Sequence, residues 1–207
     1  MKSEFDNRHD IEELMLKYTY ALEILKTEIG ILINDYSFRN NYNPVEHVKS
    51  RIKTEESAIK KLQSKGYEVT IPNLVNHVHD MIGVRIVCSF LSDVYQIVDL
   101  LKKSKQFEIR QEKNYIEEPK ESGYISYHLN VLIPLHLGDT DQLVEAEIQI
   151  RTIAMDFWAS LDHKMQYKFP TEIPDEIKEE MFNCSIDIKN LDHKMEKLNA
   201  IMQKYNK

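Results

Sequence analysis

Two carboxylates occupy strand-like positions far apart in the chain. Asp80 lies two residues before the apolar run IGVRIVCSF, and Glu147 lies within the alternating segment EAEIQIRT. A carboxylate at the start of one strand and a second on a neighbouring strand commonly hold Mg²⁺, which prefers hard oxygen ligands and keeps several of its waters. Spacing alone does not separate such a pair from two solvated surface groups.

The segment EAEIQIRT, residues 145–152, would have one apolar and one polar face if it forms a strand. Its apolar face carries Ala146, Ile148 and Ile150. Its polar face carries Glu145, Glu147, Gln149 and Arg151. For an isolated strand, the simplest interpretation is a polar face turned to water. The other polar segments decide whether it is instead a binding surface.

Cations are concentrated between residues 49 and 65. Only Glu55 and Glu56 dilute them, and the cations are Lys49, Arg51, Lys53, Lys60, Lys61 and Lys65. Such a run is usually a solvated helix face. The formal net charge of −7 argues against a bulk electrostatic attachment to nucleic acid, so any binding role for these cations would be local.

The segment PKESGYISYHL combines side chains suited to binding a nucleotide. Gly123 permits an unusual backbone angle, and the ring of Tyr124 can stack on a base. Ser126 and His128 would share one face of the following strand. Taken singly, each is best explained as a turn or surface residue. Taken together, Lys120, Tyr124 and His128 favour a ligand site.

The dipeptides His9-Asp10 and His79-Asp80 raise an alternative, a metal-dependent HD phosphohydrolase with His77 as an extra ligand. That fold needs further His and Asp ligands in a mainly helical setting, whereas here the second dipeptide opens a strand. Hydrolase chemistry is therefore disfavoured.

Composition describes an ordinary globular protein of 207 residues, of which 42% are hydrophobic. Its longest apolar stretches, such as Val131–Leu137, fall well short of the ~20 residues that cross a bilayer. The N-terminal segment MKSEFDNRHD is too polar for a signal peptide, so we expect a cytoplasmic protein with no membrane attachment. Cys88 and Cys184 lie in apolar runs without metal spacing, which predicts buried free thiols.

The first part of the chain is predicted to be helical. A long first helix carries apolar residues at helical spacing, and Pro44 has the features of the first position of a second helix. Thr54 would cap a third helix that runs to Gly66. Arg51 and Lys53 would then lie near the junction between the second and third helices.

The middle of the chain is predicted to be a mixed sheet flanked by helices. The predicted strands are residues 82–90, 107–112, 126–137 and 142–151. The last two would form a hairpin that turns at Gly138-Asp139. Ser92 would cap the helix after the first strand, and Thr152 would cap a helix that ends before Pro170.

Beyond Pro174, apolar residues follow alternating steps of four and three for more than three heptads. They are Ile177, Met181, Cys184, Ile188, Leu191, Met195, Leu198 and Met202. A seam of this kind needs a partner, either the first helix or another copy of the chain. Because both terminal helices are long and striped, we expect a homo-oligomer, with a tetramer favoured.

Four segments, in this order and at these spacings, resemble the synthetase domain of RelA/SpoT-type proteins. They are RIKTEESAIKKL, HDMIGVRIVC, PKESGYISYHL and EIQIRTIAMDFWASLDH. The similarity covers roughly residues 40–170 and is greatest to the stand-alone small alarmone synthetases, which make guanosine tetra- and pentaphosphate. Long bifunctional relatives also carry an N-terminal hydrolase domain and C-terminal regulatory domains, for which this chain has no room.

The resemblance implies a nucleotidyltransferase-like mixed β-sheet flanked by helices. With the long N- and C-terminal helices that the apolar spacing predicts, we expect an α+β fold with three domains. They are an N-terminal helix for packing or oligomer contacts (1–40), a synthetase catalytic domain (41–170) and a C-terminal heptad-patterned helix (171–207).

The activity implied is transfer of the β,γ-pyrophosphate of ATP to the ribose 3′-hydroxyl of GDP or GTP. Asp80 and Glu147 match the Mg²⁺ carboxylates, and Glu147 is also the candidate base. The positions that match an ATP-phosphate site are Arg51, Lys53, Lys61 and Arg85. The positions that match the guanine-nucleotide site are Lys113, Lys120, Tyr124, His128, Gln149 and Asp156. Among these, Tyr124 would stack on guanine and Asp156 would accept its N1 and N2 protons.

With that resemblance, the polar face of EAEIQIRT is expected to be one wall of a nucleotide cleft, with Glu145 peripheral. Ile125 and Asn114 depart from the family pattern, which leaves the preference among GMP, GDP and GTP open. Regulation by RNA or by the product is also left open. The competing hypothesis is a guanine-nucleotide or single-stranded RNA binding module that kept the fold and lost turnover.

Overall fold

The computed structural model describes residues 8–168 and 173–205. In chain order the elements are α1 (Arg8–Asn40), β1 (Val45–Ile52), α2 (Glu55–Ser64), α3 (Ile71–His77), β2 (Ile82–Cys88), α4 (Leu91–Lys102), β3 (Glu108–Asn114), β4 (Tyr127–Leu137), β5 (Thr140–Thr152), α5 (Ile153–Lys168) and α6 (Asp175–Tyr205). The predicted α+β fold, with a mixed sheet between long terminal helices, is confirmed.

The five strands form one sheet in the order β1-β2-β5-β4-β3. The β2–β5 pair is parallel and the other three pairs are antiparallel. The predicted hairpin is present, with β4 and β5 joined through Gly138, whose φ of 57° suits a glycine. The parallel pair places the two segments that carry Asp80 and Glu147 side by side at the centre of the sheet.

One face of the sheet is the hydrophobic core. Ala146, Ile148 and Ile150 of β5 are fully buried, as their alternation predicted. They pack with residues of α1 and α4, including Leu25 and Ile97. Each large aliphatic side chain buried in this way contributes roughly 1.5–3 kcal/mol, which holds β5 with its polar residues on the opposite face.

The helix predicted to begin at Pro44 is wrong, because residues 45–52 form strand β1. β1 pairs antiparallel with β2 along its length, from Val45 opposite Cys88 to Ile52 opposite Ile82. The local start signal favoured a helix, but without β1 the N–H and C=O groups at this edge of β2 would lack partners. Arg51 and Lys53 therefore lie at the end of an edge strand, not between two helices.

Of the helix caps predicted at Thr54, Ser92 and Thr152, two are present. Thr54 accepts a hydrogen bond from the Ser57 amide at 3.3 Å. Thr152 accepts one from the Met155 amide at 3.1 Å, so both predicted caps are confirmed. The Ser92 cap is wrong: α4 begins after Phe90, and Ser92 lies in its first turn.

One cysteine and one short helix differ from the predictions. Cys88 is buried as expected, but Cys184 is exposed on α6. Helix α3 was not predicted; its N-cap is Thr70. The stop predicted before Pro170 falls among residues 169–172, outside the described residues.

Helix α6 packs on α5 and α4. Its heptad seam is only partly covered: Ile177, Met181 and Ile188 are half-buried. The exposed members include Leu191, Met195, Leu198 and Met202. None of the helices in the described ranges has the length and apolarity needed to cross a bilayer.

Candidate active site

The register of the sheet aligns polar side chains in two rows that cross all five strands. Residues paired across neighbouring strands project to the same face. One row consists of Arg51, Gly83, Glu147, Asn130 and Gln111. The next row consists of Lys49, Arg85, Gln149, His128 and Lys113. The polar face of β5 is therefore the middle of a continuous polar surface.

A cleft of about 230 Å³ opens over the β1, β2 and β5 part of these rows. Its lining includes Asp80 and Glu147, the two carboxylates singled out in the sequence. Arg51 and Arg85 line the same cleft. The fold thus brings two acids and two guanidinium groups together from three strands and from the turn before β2.

Asp80 is held between two lysines. The Lys53 Nζ lies 3.0 Å from one carboxylate oxygen, and the Lys61 Nζ lies 2.8 Å from the other. Burial opposes ionisation of Asp80, but the hydrogen bonds and charges of Lys61 and Lys53 outweigh it, so the pKa of Asp80 lies below its ordinary value. Asp80 is therefore a charged carboxylate at neutral pH.

Glu147 lies beside a neutral histidine. Its Oε1 accepts a hydrogen bond from Gln149 Nε2 at 2.6 Å and lies 3.3 Å from His128 Nδ1. Burial, followed by the charges of Arg151, Lys120 and Lys113, lowers the pKa of His128 to about 3. An uncharged His128 leaves the negative charge of Glu147 unneutralised on this side.

Tyr124 and Lys120 lie on one tight loop. The Gly123 amide donates to the Lys120 carbonyl at 2.8 Å, and Gly123 has a φ of 86°. This turn brings the Lys120 Nζ to 4.9 Å from the centre of the Tyr124 ring. The Tyr124 hydroxyl lies 2.8 Å from His128 Nε2. The loop therefore delivers an aromatic ring and a cation to the end of the polar rows.

Arg151 joins these groups, although it was not among the predicted site residues. Its guanidinium donates to the Tyr124 hydroxyl, to Gln149 Oε1 at 2.7 Å and to Asp156 Oδ1 at 3.1 Å. Its Nε donates to Ser126 Oγ at 3.3 Å. The alternation of EAEIQIRT placed Arg151 on the correct face, which was the available signal.

Asp156 and Arg85 link the two halves of the site. Arg85 Nη1 lies 3.0 Å from Asp156 Oδ1, the oxygen that Arg151 also contacts. Burial, followed by the charge of Arg151, lowers the pKa of Arg85. Within the part of the chain that the structure describes, Arg85 Nε is buried without a hydrogen-bond partner. A buried donor of this kind favours an anionic ligand in the cleft.

Lys113 is less closely integrated. It lies opposite His128 in the β3–β4 pairing but is exposed at the edge of the sheet. The two departures from the family pattern have structural roles: Ile125 is buried in the core, and Asn114 accepts the amides of Ile116 and Glu117 in a turn.

Glu145 belongs to a separate cluster at the rim of the sheet. It contacts His79 at 2.8 Å, Arg110 at 2.7 Å and Asn130 at 3.2 Å. His77, the extra ligand of the hydrolase alternative, instead stacks on Tyr67 with ring centres 3.8 Å apart. The described residues contain no group of three or more side chains able to hold a metal ion.

The carboxylates suit a metal that arrives with a phosphate ligand. Mg²⁺ commonly binds through one or two carboxylates, with waters and substrate phosphates completing its coordination. Asp80 and Glu147 line one cleft and provide that donor set. Each oxygen of Asp80 already accepts a lysine and retains a further lone pair for a metal.

Comparison with known proteins identifies relatives of this arrangement. Residues 50–172 match the family model described as the region found in RelA / SpoT proteins. GTP pyrophosphokinase YwaC of Bacillus subtilis is 44% identical over 186 residues, which cover 90% of this chain and 89% of the relative.

Two solved structures from the same organism are also similar. The crystal structure of small alarmone synthetase 2 has a TM-score of 0.83 and 42% identity, covering 92% of this chain and 98% of that one. Small alarmone synthetase 1 bound to its product pppGpp has a TM-score of 0.85 and 33% identity, covering 93% and 97%.

Proposed function

Because this chain belongs to the RelA/SpoT family of proteins, we propose that it is a GTP pyrophosphokinase that makes the alarmones (p)ppGpp from ATP and GDP or GTP. The observation that carries this proposal is the shared cleft. Asp80 and Glu147 line it together with Arg51 and Arg85, and the rows of polar residues continue from it towards Tyr124. A phosphate donor and a base-bearing acceptor can therefore meet over β5.

The β1 and β2 end of the site is the proposed ATP side. Arg51 and Arg85 would contact the phosphates directly, and the buried Nε of Arg85 would gain an acceptor. Lys53 and Lys61 would hold both Asp80 and the phosphate chain. Four cations around one polyphosphate would neutralise its negative charge. Phosphoryl transfer depends mainly on such positioning and charge stabilisation and needs no covalent enzyme intermediate.

The β4 and β5 end is the proposed guanine-nucleotide side. Tyr124 would stack on guanine, and Asp156 would accept guanine N1 and N2 protons through Oδ2, since both arginines contact Oδ1. The remaining proposed contacts to the acceptor nucleotide are Lys113, Lys120, His128 and Gln149. A carboxylate facing N1 would reject adenine, because adenine has no donor at that position.

In the proposed reaction, the ribose 3′-oxygen attacks the β-phosphorus of ATP. The new bond joins that oxygen to the β-phosphorus, the bond to the bridging α,β-oxygen breaks, and AMP leaves. Glu147 accepts the 3′-hydroxyl proton, a role worth about 10²- to 10⁴-fold in rate. We propose Mg²⁺ as the metal held by Asp80 and Glu147; when bound, it would neutralise the charge that develops on the phosphate oxygens.

The test uses the purified protein with Mg²⁺, γ-labelled ATP and unlabelled GDP. Label should appear in a guanosine 3′-pyrophosphate, and Glu147→Gln should abolish the transfer. Glu145→Gln is the matched control, because Glu145 lies two residues away on the same face but belongs to the rim cluster. Unchanged transfer in Glu147→Gln would refute the assigned base.

The binding-module alternative is not favoured, because the relatives are named as GTP pyrophosphokinases and synthetases. Binding of guanine nucleotide without label transfer, under varied metal and acceptor, would restore it.

We further propose a cytoplasmic homo-oligomer, with a tetramer favoured, built on a catalytic domain of residues 41–170 between terminal helices 1–40 and 171–207. Its support is the exposed apolar surface of those helices. This surface includes Leu16, Ile31 and Phe38 on α1 and Leu198 and Met202 on α6. Sedimentation equilibrium should give four times the monomer mass. A monomer at micromolar concentration would contradict it.

A further inference from the structure

Polar groups of helix α6 contact the catalytic core at four positions. They belong to Met181, Ser185, Asp192 and Glu196, which follow one another at steps of four, seven and four residues. Ser185 and Asp192 are the buried residues of α6. At the first and last of these positions, the Trp158 indole donates to the Met181 carbonyl at 3.0 Å and the Ser92 amide donates to Glu196 at 3.0 Å. Directional contacts of this kind determine where the helix sits, whereas apolar contacts mainly hold it on.

Ser185 forms the wall behind the loop that carries Tyr124. A Cβ built on Gly123 would lie 2.3 Å from Ser185 Oγ and 2.8 Å from Ser185 Cβ. The hydroxyl of Ser185 is itself held by a 2.7 Å hydrogen bond to the Phe182 carbonyl. The backbone of Gly123 thus rests directly on α6, and any shift of the helix towards the loop would displace Tyr124.

Asp192 is linked to the same tyrosine indirectly, through Thr152 and Arg151. It accepts a 2.6 Å hydrogen bond from the buried hydroxyl of Thr152, which also caps α5. Thr152 directly follows Arg151, whose guanidinium donates to the Tyr124 hydroxyl and to Asp156 in the first turn of α5. The position of Asp192 therefore affects the end of β5, where Arg151 holds the Tyr124 hydroxyl.

We propose that α6 is a positioning element for the acceptor nucleotide and that Ser185 and Asp192 are its positioning residues. This inference rests on the proposed function, since it assigns the Tyr124 side to guanine. Lys53 and Lys61 lie at the other end of the same polar face, where they contact Asp80. Displacement of α6 should therefore weaken binding of GDP or GTP much more than binding of ATP.

The test compares Asp192→Ala with Asp192→Asn and Asp187→Ala. Loss of the Thr152 contact should raise the KM for GDP about tenfold, equivalent to about 1.4 kcal/mol of acceptor binding, with the KM for ATP within about twofold of wild type. Asp192→Asn keeps an acceptor for the Thr152 hydroxyl and should restore the wild-type KM. Asp187→Ala removes an exposed aspartate of the same helix and should change nothing.

The single tryptophan provides a second readout. Trp158 contacts α6 and lies 6.5 Å from the Tyr124 ring between centroids, so GDP binding should change its fluorescence. Asp192→Ala should weaken GDP in this titration by the same factor as in the KM. If Asp192→Ala does not fold, Ser185→Val, which places a larger side chain against Gly123, takes its place with the same expected split.

Equal changes in the KM values for GDP and ATP, or no change in either, would overturn the inference while leaving the pyrophosphokinase assignment intact. Absence of label transfer in the wild-type enzyme would overturn the assignment itself.

Discussion

Gly83 lies directly opposite Glu147 in the parallel pairing of β2 with β5. On its other side it lies opposite Arg51 of β1, and a Cβ at Gly83 would lie 3.7 Å from Arg51 Cγ. No side chain stands between the guanidinium-bearing residue and the carboxylate in this row. The absence of a side chain at Gly83 therefore creates the floor of the cleft.

Enlarging residue 83 should close the cleft in a graded way. Gly83→Ala adds a methyl group at ordinary contact distance and should leave activity near wild type. Gly83→Leu should raise the KM for ATP by at least about tenfold, since its side chain would occupy space that phosphate and Arg51 need. Initial rates at varied ATP measure both. A wild-type KM for ATP in Gly83→Leu would show that phosphates bind elsewhere.

Arg151→Lys should impair the acceptor side although it keeps the charge. Lysine cannot reproduce the fork that reaches Tyr124, Gln149 and Asp156 together. We expect the KM for GDP to rise about tenfold or more, with thermal unfolding monitored to confirm folding. The control is Arg39→Lys, which changes an exposed ion pair on α1 and should have no effect. An unaltered KM for GDP would remove Arg151 from the site.

His128 should make stability depend on pH. The pKa of His128 is lowered from 6.5 to about 3 in the folded protein. Below pH 6.5 the unfolded chain therefore binds a proton that the folded chain does not. The stability that depends on neutral His128 is fully present above pH 6.5 and is lost as the pH falls towards 3, by about 1.4 kcal/mol per pH unit.

Urea unfolding at pH 7 and pH 5 measures this contribution. The free energy of unfolding should fall less in His128→Gln than in wild type over that interval. His136→Gln, which changes an exposed histidine, should retain the wild-type slope. Identical slopes in wild type and His128→Gln would contradict the buried, neutral state of His128.

Tyr42→Phe should destabilise the fold. The Tyr42 hydroxyl donates to the buried carboxylate of Asp93 at 2.8 Å. Loss of this donor should lower the free energy of unfolding by about 1–3 kcal/mol, because the buried carboxylate loses a hydrogen bond. Burial raises the pKa of Asp93 above its ordinary value, because burial disfavours the charged carboxylate. The stability linked to Asp93 is fully present below pH 3.8, the ordinary pKa of an aspartate. It is lost as the pH rises through the higher pKa that Asp93 has in the folded protein.

The deficit of Tyr42→Phe should therefore be larger at pH 7 than at pH 4, as measured by urea unfolding. Tyr205→Phe, at a tyrosine that is 86% exposed, is the matched control. An equal deficit at both pH values would show that Asp93 is not charged in the folded protein.

Much of the fold followed from local patterns. The alternation in EAEIQIRT predicted both faces of β5, and the Gly138-Asp139 turn predicted its hairpin with β4. Thr54 and Thr152 identified two helix starts, because a cap is a contact between residues three positions apart. The segment 45–52 was predicted wrongly for the corresponding reason. Its strand state depends on pairing with β2, thirty or more residues away along the chain.

For this protein, the sequence alone determined which residues share a strand face and, through the resemblance, which chemistry to expect. Only the tertiary structure decided that Gly83 stands between Arg51 and Glu147, that Arg151 joins Tyr124 to Asp156, and that α6 docks through Ser185 and Asp192. Side-chain alternation has a period of two and is set by each strand alone. Register and helix docking depend on hydrogen bonds and packing between distant segments, which no local pattern contains.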